Sequence, residues 1–100
     1  MSEQVLSEVS GRIAEDREAG FVASYRTLIT AELPDGLLRT ELLRGPDRHW
    51  RVQSLWRDLA ALEAVRADPK MAAAPRLFRE AGTEPDLTVY VLTATAVRPG

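Results

Sequence analysis

Residues 37–55 read LLRTELLR (37–44), GPDR (45–48) and HWRVQSL (49–55), and this stretch decides the fold. In its last part the alternation is strict. Trp50, Val52 and Ser54 share one parity with Trp56, while His49, Arg51 and Gln53 share the other, which is the period of two of a strand with one buried face. Leu37 to Arg44 reads as a strand too, although its paired leucines leave both faces partly apolar. Gly45-Pro46-Asp47-Arg48 is turn chemistry, and two strands joined by four turn residues make an antiparallel hairpin.

Upstream of the hairpin the period changes. Phe21, Val22, Tyr25, Leu28, Ile29 and Leu33 follow the stripe of an amphipathic helix that begins near Glu15. Glu15, Asp16 and Glu18 cluster at its start, where the helix dipole favours negative charge. Gly20 is costly inside a helix, so the helix tightens or truly begins near it. Pro34-Asp35-Gly36 ends the segment. Before the helix, Val5, Val9 and Ile13 share the parity of a first strand, Val5 to Ile13. Its Gly11 marks a bulge or a close approach to the backbone.

Downstream, Asp58 is placed to cap a helix carrying Leu59, Leu62 and Val65. Asp68-Pro69 opens a second short helical piece, Pro75 interrupts or restarts it, and Gly82 closes it. Leu87 to Val97 reads as the last strand, with Leu87, Val89 and Val91 on one parity and Tyr90, Leu92, Ala94 and Ala96 on the other. Neither face is polar.

The resulting order is β-α-β-β-α-β, the split βαβ pattern of the ferredoxin-like α+β fold: a four-stranded antiparallel sheet with its helices on one face. The open face of such a sheet is ordinarily polar. The two-sided apolar character of the last strand and the leucine pairs of the second predict a cover from another subunit, hence a twofold-symmetric homodimer.

Composition narrows the chemistry. The 100 residues make one domain, 1–100, with its core at about 5–97. There is no cysteine, which removes disulfides and thiolate ligands, and the lone histidine, His49, cannot build a multi-histidine metal site within one subunit. Thirteen basic and fifteen acidic side chains give a net charge of −2, so nothing favours nucleic acid. No apolar run is long enough for a membrane span and no secretory leader is recognisable, so a cytoplasmic protein is expected.

On these residues the chain resembles the antibiotic biosynthesis monooxygenase (ABM) type of dimeric α/β-barrel proteins. The resemblance is carried by Pro34-Asp35-Gly36 with the strand through Arg44, by Ser54-Leu55-Trp56, by Arg57-Asp58-Leu59-Ala60-Ala61-Leu62 and by Glu18 through Tyr25. Trp56, at the junction of third strand and second helix, is its best single marker. The resemblance implies a homodimer with a ligand cavity between each sheet and its helices. The implied activity is either a monooxygenase needing no cofactor, acting on an aromatic or polyketide-type molecule, or a non-catalytic small-molecule-binding or assembly module. Haem degradation, another activity of the family, calls for a second tryptophan and a histidine in and beyond the second helix, and Leu62 to Phe78 holds neither. The asparagine some members use to orient substrate or oxygen is also absent, because the chain contains none.

A cofactor-independent oxygenase needs a dry apolar pocket and a few polar groups. Phe21, Tyr25, Trp50, Trp56 and Phe78 are candidate walls, although Phe21, Tyr25 and Phe78 sit at helical spacing among other core residues, which favours core packing over ligand contact. His49, Arg51 and Tyr90, with Arg26 beside them, are the polar candidates. His49 is the side chain whose ordinary pKa suits a general base, although it adjoins the hairpin turn.

Overall fold

The computed structural model describes residues 3–68 and 70–99. Strand β1 (Val5–Arg12) leads through a 3-10 turn (Glu15–Arg17) into helix α1 (Glu18–Thr30). Strand β2 (Leu37–Arg44), a 3-10 turn (Pro46–Arg48) and strand β3 (His49–Trp56) form the expected hairpin. Helices α2 (Leu59–Ala67) and α3 (Ala73–Glu80) precede strand β4 (Asp86–Val91). The strands form one antiparallel sheet in the order β2-β3-β1-β4, the ferredoxin-like arrangement. No helix among the described residues is long and apolar enough to cross a membrane.

Local chemistry sets the element ends. Asp58 caps α2, its carboxylate accepting from the Ala61 amide at 2.8 Å. α1 stops at Thr30, three residues before the end of the predicted stripe, because Ala31 turns to an extended conformation. The hairpin turn carries Asp47 and Arg48 at φ 56° and 60°, a region that L-residues seldom occupy. The expected close approach at Gly11 is real: a Cβ there would lie 2.8 Å from Thr83 Cγ2 and 3.3 Å from Phe78 Cδ1.

Two expectations are corrected. The last strand ends at Val91, not Val97. β4 pairs with β1, Val91 lies opposite Val5 where β1 begins, and after the Leu92 amide bonds to the Gln4 carbonyl at 2.9 Å no partner strand is left among the described residues. Asp68 builds a turn instead of opening a helix, its carboxylate accepting from the Lys70 amide at 3.0 Å, and α3 starts only at Ala73; Pro69 lies outside the described residues. Pro75 sits in the first turn of α3, where its missing N–H costs no helical bond, and the chain leaves that helix at Gly82 with φ 88°.

The core is divided. One cluster gathers Val9, Ile13, Phe21, Tyr25, Trp50, Val52, Leu77 and Phe78, with Phe21 edge-on to both Trp50 and Phe78. The other gathers Val5, Trp56, Ala61, Leu62 and Val65. Burying each large apolar side chain contributes about 1.5–3 kcal/mol, so each cluster fixes the end of the sheet it covers. The space between them is left unfilled.

Candidate functional site

That space is a cavity of about 830 Å³ between the sheet and the three helices. Its floor is the helix-facing parity of the strands: Ser7 and Val9 of β1, Leu37 and Thr40 of β2, Val52, Ser54 and Trp56 of β3, and Leu87 of β4. Its walls come from Tyr25, Leu28 and Ile29 of α1, from Leu62 and Val65 of α2, and from the start of α3. Four charged side chains reach it, Glu32, Arg66, Lys70 and Arg79, and all four are exposed and form the rim. Arg79 is already engaged with Glu84 through Nε at 3.2 Å and Nη2 at 3.1 Å. That hydrogen bond, and then the charge of Glu84, hold the Arg79 guanidinium pKa above its ordinary value.

Inside the rim the polar groups are hydroxyls. Thr40, Ser54 and Ser7 lie in one row across β2, β3 and β1, because Thr40 and Ser7 are both register partners of Ser54. Tyr25 Oη, on α1, is 3.1 Å from Thr40 Oγ1, which is in turn 3.1 Å from Ser54 Oγ. On the other side of the row, Trp56 Nε1 donates to Ser7 Oγ at 3.0 Å. Ser7 and Ser54 are nevertheless the buried polar residues of an otherwise apolar floor. Buried hydroxyls are costly unless bonded; Ser54 is bonded to Thr40, which in turn meets Tyr25, and Ser7 accepts from Trp56.

The structure brings together only two of the five aromatic candidates. Tyr25 and Trp56 line the cavity, while Phe21, Trp50 and Phe78 are packed in the first core cluster and line none of it. The expectation that all five wall one pocket is therefore corrected, and the reason is that the sheet end near the hairpin turn is filled by those three rings. Trp50 Nε1 is held there by Glu18 at 2.8 Å.

His49, Arg51 and Tyr90 stand on the opposite face of the sheet, since their parity alternates with that of Trp50, Val52 and Val89. Arg51 faces Glu8 at 3.6 Å on that side. None of the three borders the cavity, and Arg26 is exposed on α1 outside it. Sequence reasoning singled out none of Ser7, Thr40 and Ser54 as site residues. The available signal was a hydroxyl at a parity position where its strand otherwise carries apolar side chains. Among the described residues no three His, Asp or Glu side chains gather as metal ligands.

A model of the antibiotic biosynthesis monooxygenase family matches residues 7–76, a span that includes most of the cavity floor and two of its walls. The chain belongs to the ABM family. Among solved structures, a candidate antibiotic biosynthesis monooxygenase from Deinococcus radiodurans is similar to it with a TM-score of 0.72 and 18% identity, over 96% of this chain and 99% of that one. SnoaB, a cofactor-independent oxygenase from Streptomyces nogalater, is similar with a TM-score of 0.64 and 17% identity, over 99% of this chain and 100% of that one. A protein of unknown function from Nitrosomonas europaea gives a TM-score of 0.69 and 21% identity, over 98% and 97%. At such identities these likenesses show the fold. No curated protein matches the sequence.

Proposed function

We propose that this ABM protein is a monooxygenase-type enzyme that binds an aromatic or polyketide-type molecule in the cavity and needs no cofactor. The observation that carries the reading is a cavity of about 830 Å³ with apolar walls, hydroxyls on its floor and charges confined to its rim. Such a pocket suits an apolar ring system bearing a few oxygens. The likeness to SnoaB, a cofactor-independent oxygenase, supports the same reading.

In an anthrone-like substrate, loss of a proton gives an electron-rich enolate that reduces dioxygen directly. The ring CH2 becomes a carbonyl, one oxygen atom is retained and the other leaves as water, so four electrons pass from substrate to dioxygen. The protein's part is to exclude water, hold the ring and stabilise the enolate oxygen through donors on the floor. Tyr25 is the one buried ionisable side chain among the described residues on the cavity surface, so its hydroxyl is a donor placed to stabilise the enolate oxygen, while the protons lost from the ring carbon are recovered in the water released. His49, on the far face, has no part in this step.

Oxygen uptake with a panel of hydroquinones and anthrones tests the reading. Uptake above the uncatalysed rate, abolished by blocking the cavity with Val65→Trp, is expected. Uptake no faster than without protein would refute it. Saturable binding of the same compounds without uptake would instead favour a non-catalytic binding module, a reading favoured by the complete lack of asparagine.

The working unit we propose is a homodimer through the open face of the sheet. Leu6, Leu55 and Tyr90 share one row across that face, and Leu43 stands beside Arg51 beyond the row of Glu41, Gln53 and Glu8. Leu43 and Tyr90 are 42% and 49% exposed, and a second sheet would cover them. Light scattering should give about twice 11.1 kDa, and a monomer mass would defeat the proposal.

A further inference from the structure

Hydrogen-bond counting on the cavity floor leaves protons over. Tyr25, Thr40 and Ser54 bring three hydroxyl protons to a chain of two hydrogen bonds. Whichever way the chain runs, one proton is left without an acceptor. It sits on Ser54 if Tyr25 donates to Thr40 and Thr40 onward, on Tyr25 if the direction is reversed, and on Thr40 if both neighbours donate to it. Ser7 spends its oxygen as acceptor for Trp56 Nε1, and its own proton has no acceptor among the described residues. The floor therefore carries two unpaired donors, although each of its hydroxyls takes part in at least one hydrogen bond. A buried donor left unmade is the expensive case.

When the chain runs from Tyr25 to Ser54, the two unpaired donors stand opposite each other on neighbouring strands. Ser7 and Ser54 are register partners on adjacent antiparallel strands, and Cβ atoms directly opposite stand about 4.5–5.5 Å apart. One oxygen atom placed between two hydroxyls at that spacing lies within hydrogen-bond reach, about 2.7–2.8 Å, of both. Both side chains are more than nine-tenths buried, at 7% and 8% exposure, and both border the cavity.

We infer that Ser7 and Ser54 form a two-hydroxyl clamp for an acceptor oxygen of the ligand, a ketone, quinone or enolate oxygen, and thereby orient the ligand with that oxygen down on the sheet. The chain to Tyr25 makes the clamp adaptable, since reversing it moves the free proton from Ser54 to Tyr25. A ligand whose only polar group is a hydrogen-bond donor leaves both protons unpaired and is disfavoured. The inference rests on the cavity being the ligand site, as proposed above, and specifies which chemical group enters first.

The test uses a matched pair of probes, acetylnaphthalene, which carries a ketone, and ethylnaphthalene, which does not. Each is titrated into the full chain, and the carbonyl stretch of the bound ketone is followed by infrared difference spectroscopy. In the unaltered protein the stretch moves to lower wavenumber than in an apolar solvent. Ser54→Ala weakens the ketone about threefold to tenfold, the yield of one net hydrogen bond, moves the stretch back and leaves the hydrocarbon within about twofold. Ser7→Ala is made together with Trp56→Phe, so that no indole N–H is left to take its place, and is compared with Trp56→Phe alone; the same selective loss is expected. Parallel changes for both probes, or a stretch that does not move, would overturn the clamp while leaving the cavity as a binding site. Failure of both probes to bind would overturn the clamp and the cavity reading together. Absence of oxygen uptake, by contrast, would refute the oxygenase reading without touching the clamp.

Discussion

The hydrogen bond from Trp56 Nε1 to Ser7 Oγ, 3.0 Å and buried, joins the end of β3 to β1 beneath the cavity, and its two ends do not respond alike to removal. Ser7→Ala leaves an indole N–H without a partner, which costs about 1–3 kcal/mol when the donor stays dry. The bordering cavity lets water reach part of it, so the lower half of that range is expected. Trp56→Phe removes the donor but leaves Ser7 an oxygen with lone pairs, and its cost of about 1–3 kcal/mol comes mostly from lost ring packing against Val5, Leu62 and Val65. The double variant has neither orphaned donor nor bond. Its destabilisation should fall short of the sum of the singles by about 1 kcal/mol, the net worth of the bond. For a chain of this size 1 kcal/mol is a shift of about 4–8 °C in Tm. Urea unfolding followed by far-ultraviolet circular dichroism reads all four proteins on one scale, at a single protein concentration so that any association acts equally on each. Single-variant costs that add to within about 0.3 kcal/mol would refute the bond and, with it, the assignment of Ser7's proton as free for the ligand.

Gly36, at φ 85°, would place a Cβ 2.5 Å from Ala61 Cβ, whereas Gly20 has nothing within 4 Å. Gly36→Ala should therefore cost about 2–4 kcal/mol from backbone and overlap together, while Gly20→Ala should stabilise α1 by about 0.5–1 kcal/mol, both read by thermal melting. Asp58→Ala removes the cap on the Ala61 amide and should cost about 0.5–2 kcal/mol in the same melts. His49→Ala, altering an exposed side chain on the face away from the cavity, should leave probe affinity and any oxygen uptake within twofold; a tenfold loss would place the base on the wrong side of the sheet.

Periodicity made the hairpin legible because strand parity is a local property: the 37–44 strand boundaries and the buried parity of Trp50, Val52 and Trp56 follow from residues two apart. The Asp58 cap and the Gly11 approach were legible for the same reason, each being signalled by one residue type at one position. The end of the last strand was not. Thr93 to Val97 has strand composition, but a strand exists only where a neighbour offers its backbone, and β1 starts at Val5. The candidate site was half legible. All five aromatics were legible as candidates, but nothing local separated Tyr25 and Trp56 from Phe21, Trp50 and Phe78 until packing put those three at one end.

By itself, the sequence determined the order of elements, the face that the first and third strands bury, the family and the exclusion of thiolate or multi-histidine chemistry within one subunit. Tertiary structure alone decided that the core would close as two separate clusters with a cavity between them, and that Ser7 of the distant first strand would join the hairpin's Thr40 and Ser54 in one row on its floor. The physical reason is that parity says which way a side chain points but not what it meets. Ser7, Thr40 and Ser54 are ordinary inward positions along the chain, and they become a polar site only when antiparallel register sets them side by side beneath Tyr25 and Trp56.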